Sequence, residues 1–279
     1  MEFQYLGTAA AEGIPAFWCQ CAVCKRSRKI GGRALRTRSQ ARINKDLLLD
    51  FPQDTYSHIL TFGIDMTDVH HCLVTHTHSD HLFPQNLTLL KDGFSHMEKG
   101  YHITFYGSDK VCEQLRTFVE GKLDDAGEGR CDLHEVKAFD TFSAGKYTVT
   151  ALPAIHAPAS GPLFYQISDG EKNILYAHDT HFFAEEVWDY WKETKPYFDF
   201  VSLDCTNSCL PVTYVGHMGF AENIQVKKLM LEERFADEKT VFVCNHFSHN
   251  GIHAVYDDFV PVAAEKGFLT SYDGMSIEI

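Results

Sequence analysis

The chain has 279 residues, 44% hydrophobic and 23% charged, with 25 Lys and Arg against 38 Asp and Glu for a formal net charge of -13. These proportions are those of a globular enzyme and exclude a disordered or fibrous chain, while the acidic balance weighs against non-specific attraction to nucleic acid or anionic membrane. The first residues lack the basic start and apolar run of a signal peptide, and no segment reads as a membrane span, so the expected location is the cytoplasm. There, 9 cysteines are expected as thiols or metal ligands rather than disulfides, and 16 histidines also point toward metal.

No repeat, low-complexity tract or linker divides the chain, so one domain over residues 1–279 is expected. A strand pattern at 3–6 is followed by Cys19, Cys21 and Cys24, three thiols in six residues. That spacing lets thiolates share one tetrahedral zinc and leaves its fourth position open. Lys25, Arg26, Arg28, Lys29, Arg33, Arg36 and Arg38 then form a basic stretch, read as a solvated face. Strand patterns recur at 46–50, 71–75 and 102–106, and the period at 110–123 predicts a helix with Val111, Leu115, Phe118 and Val119 on one face. Strands are predicted at 147–152, 163–167, 173–177, 200–203, 240–244 and 274–279, with a helix at 221–235 that groups Val226, Leu229 and Met230. The sum is an α/β chain with helices outside, and its His- and Asp-rich segments fall at strand ends, where α/β proteins usually bind ligands.

The densest of these segments is Thr-His-Thr-His-Ser-Asp-His at residues 75–81, with three imidazoles and a carboxylate in the six positions from His76 to His81. Imidazole and carboxylate suit zinc, manganese or iron, and a tight loop can present alternate side chains to two adjacent metals. The pattern alone does not choose among those metals.

This run resembles the signature of the metallo-β-lactamase superfamily. The resemblance implies an αββα sandwich, two mixed β-sheets packed face to face with helices outside. It also implies a dinuclear site: His76, His78 and His156 on one metal, Asp80, His81 and His246 on the second, and Asp179 bridging the two. The CxCxxC cluster, Gly7-Thr8 and the segment from His246 to His249 resemble the PhnP branch, the cyclic phosphoribose phosphodiesterases, and imply a structural zinc on Cys19, Cys21, Cys24 and His249. His217 resembles the additional active-site histidine of the family, and a histidine suits a general acid.

The expected function is hydrolysis of a small phosphodiester, cyclic sugar phosphates included, by a metal-bridging hydroxide, with two divalent catalytic ions, Mn or Zn, and one structural Zn. His217 and Asp80 are the expected catalytic residues, a homodimer is what the resemblance suggests, and neither nucleic acid nor membrane is an expected partner. Two other readings share the pattern. A tRNase Z-like nuclease has the same ligand set, but the acidic balance and the lack of a basic, Gly-rich clamping insertion oppose it. A non-hydrolytic PqqB-like cofactor-biosynthesis protein resembles the branch in its fold and cysteines, but is expected to have lost catalytic ligands that this chain keeps. Asp204, at a strand end, is left unassigned.

Overall fold

The computed structural model describes residues 1–120, 129–211 and 215–279. The first half of the chain supplies strands β1 (Glu2–Gly7), β2 (Gln40–Ile43), β3 (Leu47–Leu49), β4 (His71–Leu73), β5 (Ile103–Gly107) and β6 (Cys131–Glu135). The second half supplies β7 (Thr141–Ala144), β8 (Tyr147–Pro153), β9 (Leu163–Ser168), β10 (Asn173–Ala177), β11 (Phe200–Asp204), β12 (Val241–Asn245) and β13 (Leu269–Thr270), before β14 (Ser276–Glu278) returns to the first sheet. The sheet orders are β14-β1-β2-β3-β4-β5-β6 and β13-β12-β11-β10-β9-β8-β7. Each is mixed: β14 to β3 pair antiparallel and β3 to β6 parallel, while β7 to β10 pair antiparallel and β10 to β13 parallel.

Alternation along the strands sorts side chains into layers. Leu47 and Leu49 of β3 join Ile174 and Tyr176 of β10 in the core shared by the two sheets. The intervening Leu48 faces the outer layer, where Val111 and Leu115 of helix α3 (Asp109–Val119) pack. On the other side, Leu175 and Ala177 turn toward the helices beyond β10, with Trp188 and Trp191 of one helix and Val226 and Met230 of the next. These helices are α4 (Glu185–Thr194) and α5 (Phe220–Glu232); α1 (Ala22–Ile30), α2 (Thr55–Phe62) and α6 (Tyr256–Glu265) complete the set in the described residues. The result is the expected αββα sandwich.

Two local features position the site. A Cβ on Gly7 would lie 1.9 Å from the Arg38 carbonyl oxygen, so only glycine lets β1 close on that segment. Beyond it, Ala10 N–H donates to the Phe247 carbonyl at 3.0 Å and Phe247 N–H to that of Thr8 at 2.9 Å, which lays the loop after β1 beside the loop after β12.

The basic stretch is not a uniformly solvated face. Lys25 to Lys29 lie on α1, but Arg36 is buried, donating from Nη1 to Thr8 Oγ1 and to the Ser271 carbonyl at 2.8 Å each, with its guanidinium 4.2 Å from the Phe247 ring centroid. Those acceptors satisfy Nη1, while Nε and Nη2 are buried without a hydrogen-bond partner and the ring face takes part of the charge. The helix predicted at 110–123 runs Asp109–Val119, and residues 121–123 lie outside the described residues. The helix predicted at 221–235 runs Phe220–Glu232, after which Phe235 turns back with its N–H on the Met230 carbonyl at 2.9 Å.

Candidate metal centre

The strand ends deliver the site. His76 to His81 follow β4, His156 follows β8, Asp179 follows β10, Asp204 ends β11 and His246 follows β12. Asp50, Asp179 and His246 have φ of 66°, 50° and 62°, left-handed conformations that are uncommon outside glycine and that cluster at functional sites.

The groups of ligand atoms that result include His76 with His78 and His156, and Asp80 with His81 and His246, and they overlap with Asp179, Asp204, His217 and His246, the atoms in each lying within 4.8 Å of one another. Asp179 divides its carboxylate between the first two. Oδ1 is 3.6 Å from His156 Nε2 and 4.0 Å from His76 Nε2, and Oδ2 is 2.8 Å from both His81 Nε2 and His246 Nε2.

The outer hydrogen bonds determine which nitrogens face inward. His81 Nδ1–H donates to Asp50 Oδ2 at 2.8 Å, and His156 Nδ1–H donates to the Gly216 carbonyl at 3.0 Å. Thr75 Oγ1 gives its proton to Asp50 Oδ1 at 2.8 Å and so accepts from His76 Nδ1–H at 3.0 Å. In the same way Thr206 Oγ1 donates to the His246 carbonyl at 2.9 Å and accepts from His246 Nδ1–H at 2.8 Å. Each Nε2 is then left with an in-plane lone pair, as a metal-binding imidazole requires.

These lone pairs meet one another. His81 Nε2 is 3.2 Å from His246 Nε2, and His156 Nε2 is 3.1 Å from His78 Nδ1. His76 Nε2 is buried with no hydrogen-bond partner. Asp50, Asp80, Asp179 and Asp204 are all at most 5% exposed, and no Lys or Arg is among the described residues lining the cavity above them. Inward-facing imidazole nitrogens around the buried Asp80 and Asp179, with no Lys or Arg to balance those charges among the described lining residues, fit divalent cations, since buried charge otherwise carries a large desolvation penalty.

That cavity is about 320 Å³ in volume. His217, on its wall, donates from Nδ1–H to Asp204 Oδ2 at 2.9 Å, while Asp204 Oδ1 accepts from Thr206 N–H at 2.9 Å. Burial pulls the His217 pKa down, but the adjacent Asp204 charge outweighs it and raises the group to about 9.

At the second cluster, Cys19, Cys21, Cys24 and His249 bring their ligand atoms within 4.8 Å of one another, with Cys19 Sγ 3.5 Å and Cys21 Sγ 3.6 Å from His249 Nδ1. Three thiols and one imidazole at this spacing could hold a metal ion, and such donors suit zinc. Cys21 is also the N-cap of α1, its Sγ accepting from Cys24 N–H at 3.4 Å. Burial opposes ionisation, but that N–H, His249 and the neighbouring cysteines lower the Cys21 thiol to about 6.

All the histidines, aspartates and cysteines singled out in the sequence thus fall in two places. His178 is separate: it is buried with Nε2 2.8 Å from Ser202 Oγ. Sequence reasoning missed Asp50 and Thr206, which orient ligands, and Glu12, which lines the cavity. For Asp50 the available signal was its place at the end of the apolar Leu47–Leu49 strand.

Residues 52–236 match the beta-lactamase superfamily domain, and the chain belongs to that family, whose members are generally metal-dependent hydrolases that bind divalent metals such as zinc. Ribonuclease Z of Picosynechococcus sp. is 27% identical over 156 residues, which are 56% of this chain and 44% of that protein. Among solved structures, Zn²⁺-bound PqqB from Methylobacterium extorquens is similar with a TM-score of 0.72 and 17% identity over 100% of both chains. A diphosphatase of the PhnP family is similar with a TM-score of 0.72 and 19% identity over 100% of this chain and 98% of the other. Human tRNase Z, short form, has a TM-score of 0.68 and 16% identity over 100% and 99%. These likenesses establish the metallo-β-lactamase fold. No helix among the described residues is long and apolar enough to cross a membrane.

Proposed function

We propose that the protein is a dinuclear metal-dependent phosphodiesterase acting on a small diester. The observation that carries this reading is Asp179, whose two oxygens face two separate groups of inward lone pairs at the floor of a cavity without Lys or Arg among its described lining residues. Two divalent ions bound there would activate water and neutralise charge developing on phosphoryl oxygens.

The chain's own residues do the rest. Asp50, Thr75, Thr206 and the Gly216 carbonyl hold four imidazoles in the Nε2-inward tautomer, so the donor set is preorganised. His217, with Nδ1–H committed to Asp204, has Nε2 as the nitrogen from which a proton can pass to the departing alkoxide. Cys19, Cys21, Cys24 and His249 would hold a structural zinc that fixes the loop beside the cavity.

Metal analysis of the purified protein, followed by assay of the metal-loaded form on cyclic diesters, linear diesters and precursor tRNA, tests this. Two catalytic metals and one zinc per chain, with turnover of small diesters, is the expected result. Less than one catalytic metal and no diester hydrolysis would overturn it. The tRNA arm addresses the ribonuclease Z likeness; preferential cleavage of tRNA would move the reading to RNA processing.

A further inference from the structure

The cavity has two unlike parts. The histidine and aspartate cluster lines one part of it, and the loops after β1 and β12 add Ala10, Ala11, Glu12, Ser248 and Asn250 to its lining, with Asn207 and Leu210. That wall offers amides, a hydroxyl and one carboxylate. Behind this wall, Arg38 donates from Nε to the Ala11 carbonyl at 2.9 Å and pairs through Nη1 with Asp54 at 3.1 Å. Its charge is committed away from the cavity.

Glu12 is held in place. Its Oε1 accepts from Ser248 Oγ at 2.9 Å and Asn250 Nδ2 at 3.2 Å, and makes a longer, ion-pair contact of 3.6 Å with His249 Nε2. Both bonds fall on the same oxygen. A carboxylate acceptor therefore stands on the cavity wall with no Lys or Arg paired to it among the described residues.

We propose that Glu12 is a specificity residue that favours diesters whose non-reacting part is neutral and hydroxyl-bearing, such as a sugar or nucleoside, over those carrying a second phosphate there. This rests on the diesterase reading. A hydroxyl donates to the carboxylate in a charge-assisted bond, whereas a phosphate dianion has no proton to give and meets like charge. Floor cations would hold the reacting phosphoryl group; the wall has no cation to receive another.

The test uses the metal-loaded protein with uridine 2′,3′-cyclic phosphate and the same compound phosphorylated at the 5′ position. The unphosphorylated diester should win in kcat/KM by on the order of tenfold or more. Glu12→Gln, which keeps the side-chain shape, should bring the ratio to within about threefold through a lower KM for the phosphorylated substrate, and 0.5 M salt should narrow it in the unaltered protein. A loss of loop structure alone would not separate two substrates that differ only in remote charge. Equal use of both, preference for the phosphorylated compound, or a ratio that survives Glu12→Gln would overturn the assignment. Calorimetric binding of uridine 3′-monophosphate and uridine 3′,5′-bisphosphate reads the same selection without turnover. If no diester is hydrolysed, the monophosphate preference in the unaltered protein and its loss in Glu12→Gln still support Glu12, and equal binding overturns it.

Discussion

His217 hangs on Asp204 much as His81 hangs on Asp50, each imidazole giving Nδ1–H to a buried carboxylate at 2.9 and 2.8 Å. The difference lies in what the other nitrogen faces. His81 Nε2 meets Asp179 and His246, while His217 stands on the cavity wall with its side chain 22% exposed. A proton donor needs access to the substrate space and a group that stabilises its protonated form; His217 lines the cavity and is paired with Asp204, the features on which its proposed role rests. His217→Ala should therefore lower kcat for diesters with alkyl leaving groups by on the order of 100-fold, with a loss below about tenfold for nitrophenyl diesters, whose leaving group needs no proton. Asp204→Asn should show the same leaving-group bias, with a fall of about 10- to 100-fold on the alkyl substrates. Steady-state kinetics on the two substrate types, with metal content measured in parallel, decides it. Equal losses on both would remove the proton-donor role.

At the scale of elements, α1 illustrates what a sequence conceals. It buries only Cys24 and Ser27 among its nine residues, so no apolar period announces a helix, and its lysines and arginines read as a charge run. A helix that short is marginal alone, and what anchors its start is the cysteine cluster. Cys21→Ser separates the cap from the metal, since serine is itself a good N-cap. The expected result is loss of zinc, lower thermal stability and faster amide exchange over residues 19–30, read by mass spectrometry. Unchanged zinc and exchange would return the cysteines to ordinary thiols. The same reasoning explains the rest of what was legible. Strands such as β10 and β11, buried on both faces, are largely apolar, with Ser202 the polar exception inside β11, and their ends marked where Asp179 and Asp204 would fall. β6 and β7 are edge strands with mostly exposed or half-buried residues, and β13 has two residues, too few for a pattern. Glu12 gave no signal because one glutamate in a loop has no spacing to recognise. Its role emerges only where the loop after β1 meets the loop after β12.

For the whole molecule, the segments around Arg36 join distant parts of the chain through a buried polar network. Asp273, near the C-terminal strand, accepts from Thr8 Oγ1 at 2.6 Å and from Thr37 N–H at 2.6 Å, and Thr37 Oγ1 lies 2.7 Å from His58 Nε2 on α2. Gln40 donates its amide to the Asp50 carbonyl at 3.0 Å, so its Oε1 accepts from His58 Nδ1–H at 2.6 Å. The Thr37 hydroxyl has one proton, which satisfies either His58 Nε2 or Asp273 Oδ2, 2.7 Å away. Burial decides for neutral His58 and pulls it down to about 4, against the attraction of Asp54. The unfolded chain binds that proton near pH 6.5, so stability from neutral His58 is complete above that value and is lost as pH falls toward 4. Asp273, raised by burial to about 6, acts in the opposite sense, because its native form takes up a proton before the unfolded form does. A glutamine amide can keep the hydrogen bond to Thr37, so comparing His58→Gln with the unaltered protein removes most of the Asp273 contribution and leaves the histidine. Urea unfolding from pH 7 to 4.5 should show the unaltered protein losing about 2 to 3 kcal/mol relative to His58→Gln. A difference that moves the other way would mean that native His58 holds the proton, with Thr37 relaying its hydrogen bond to an ionised Asp273, and the burial argument would fall.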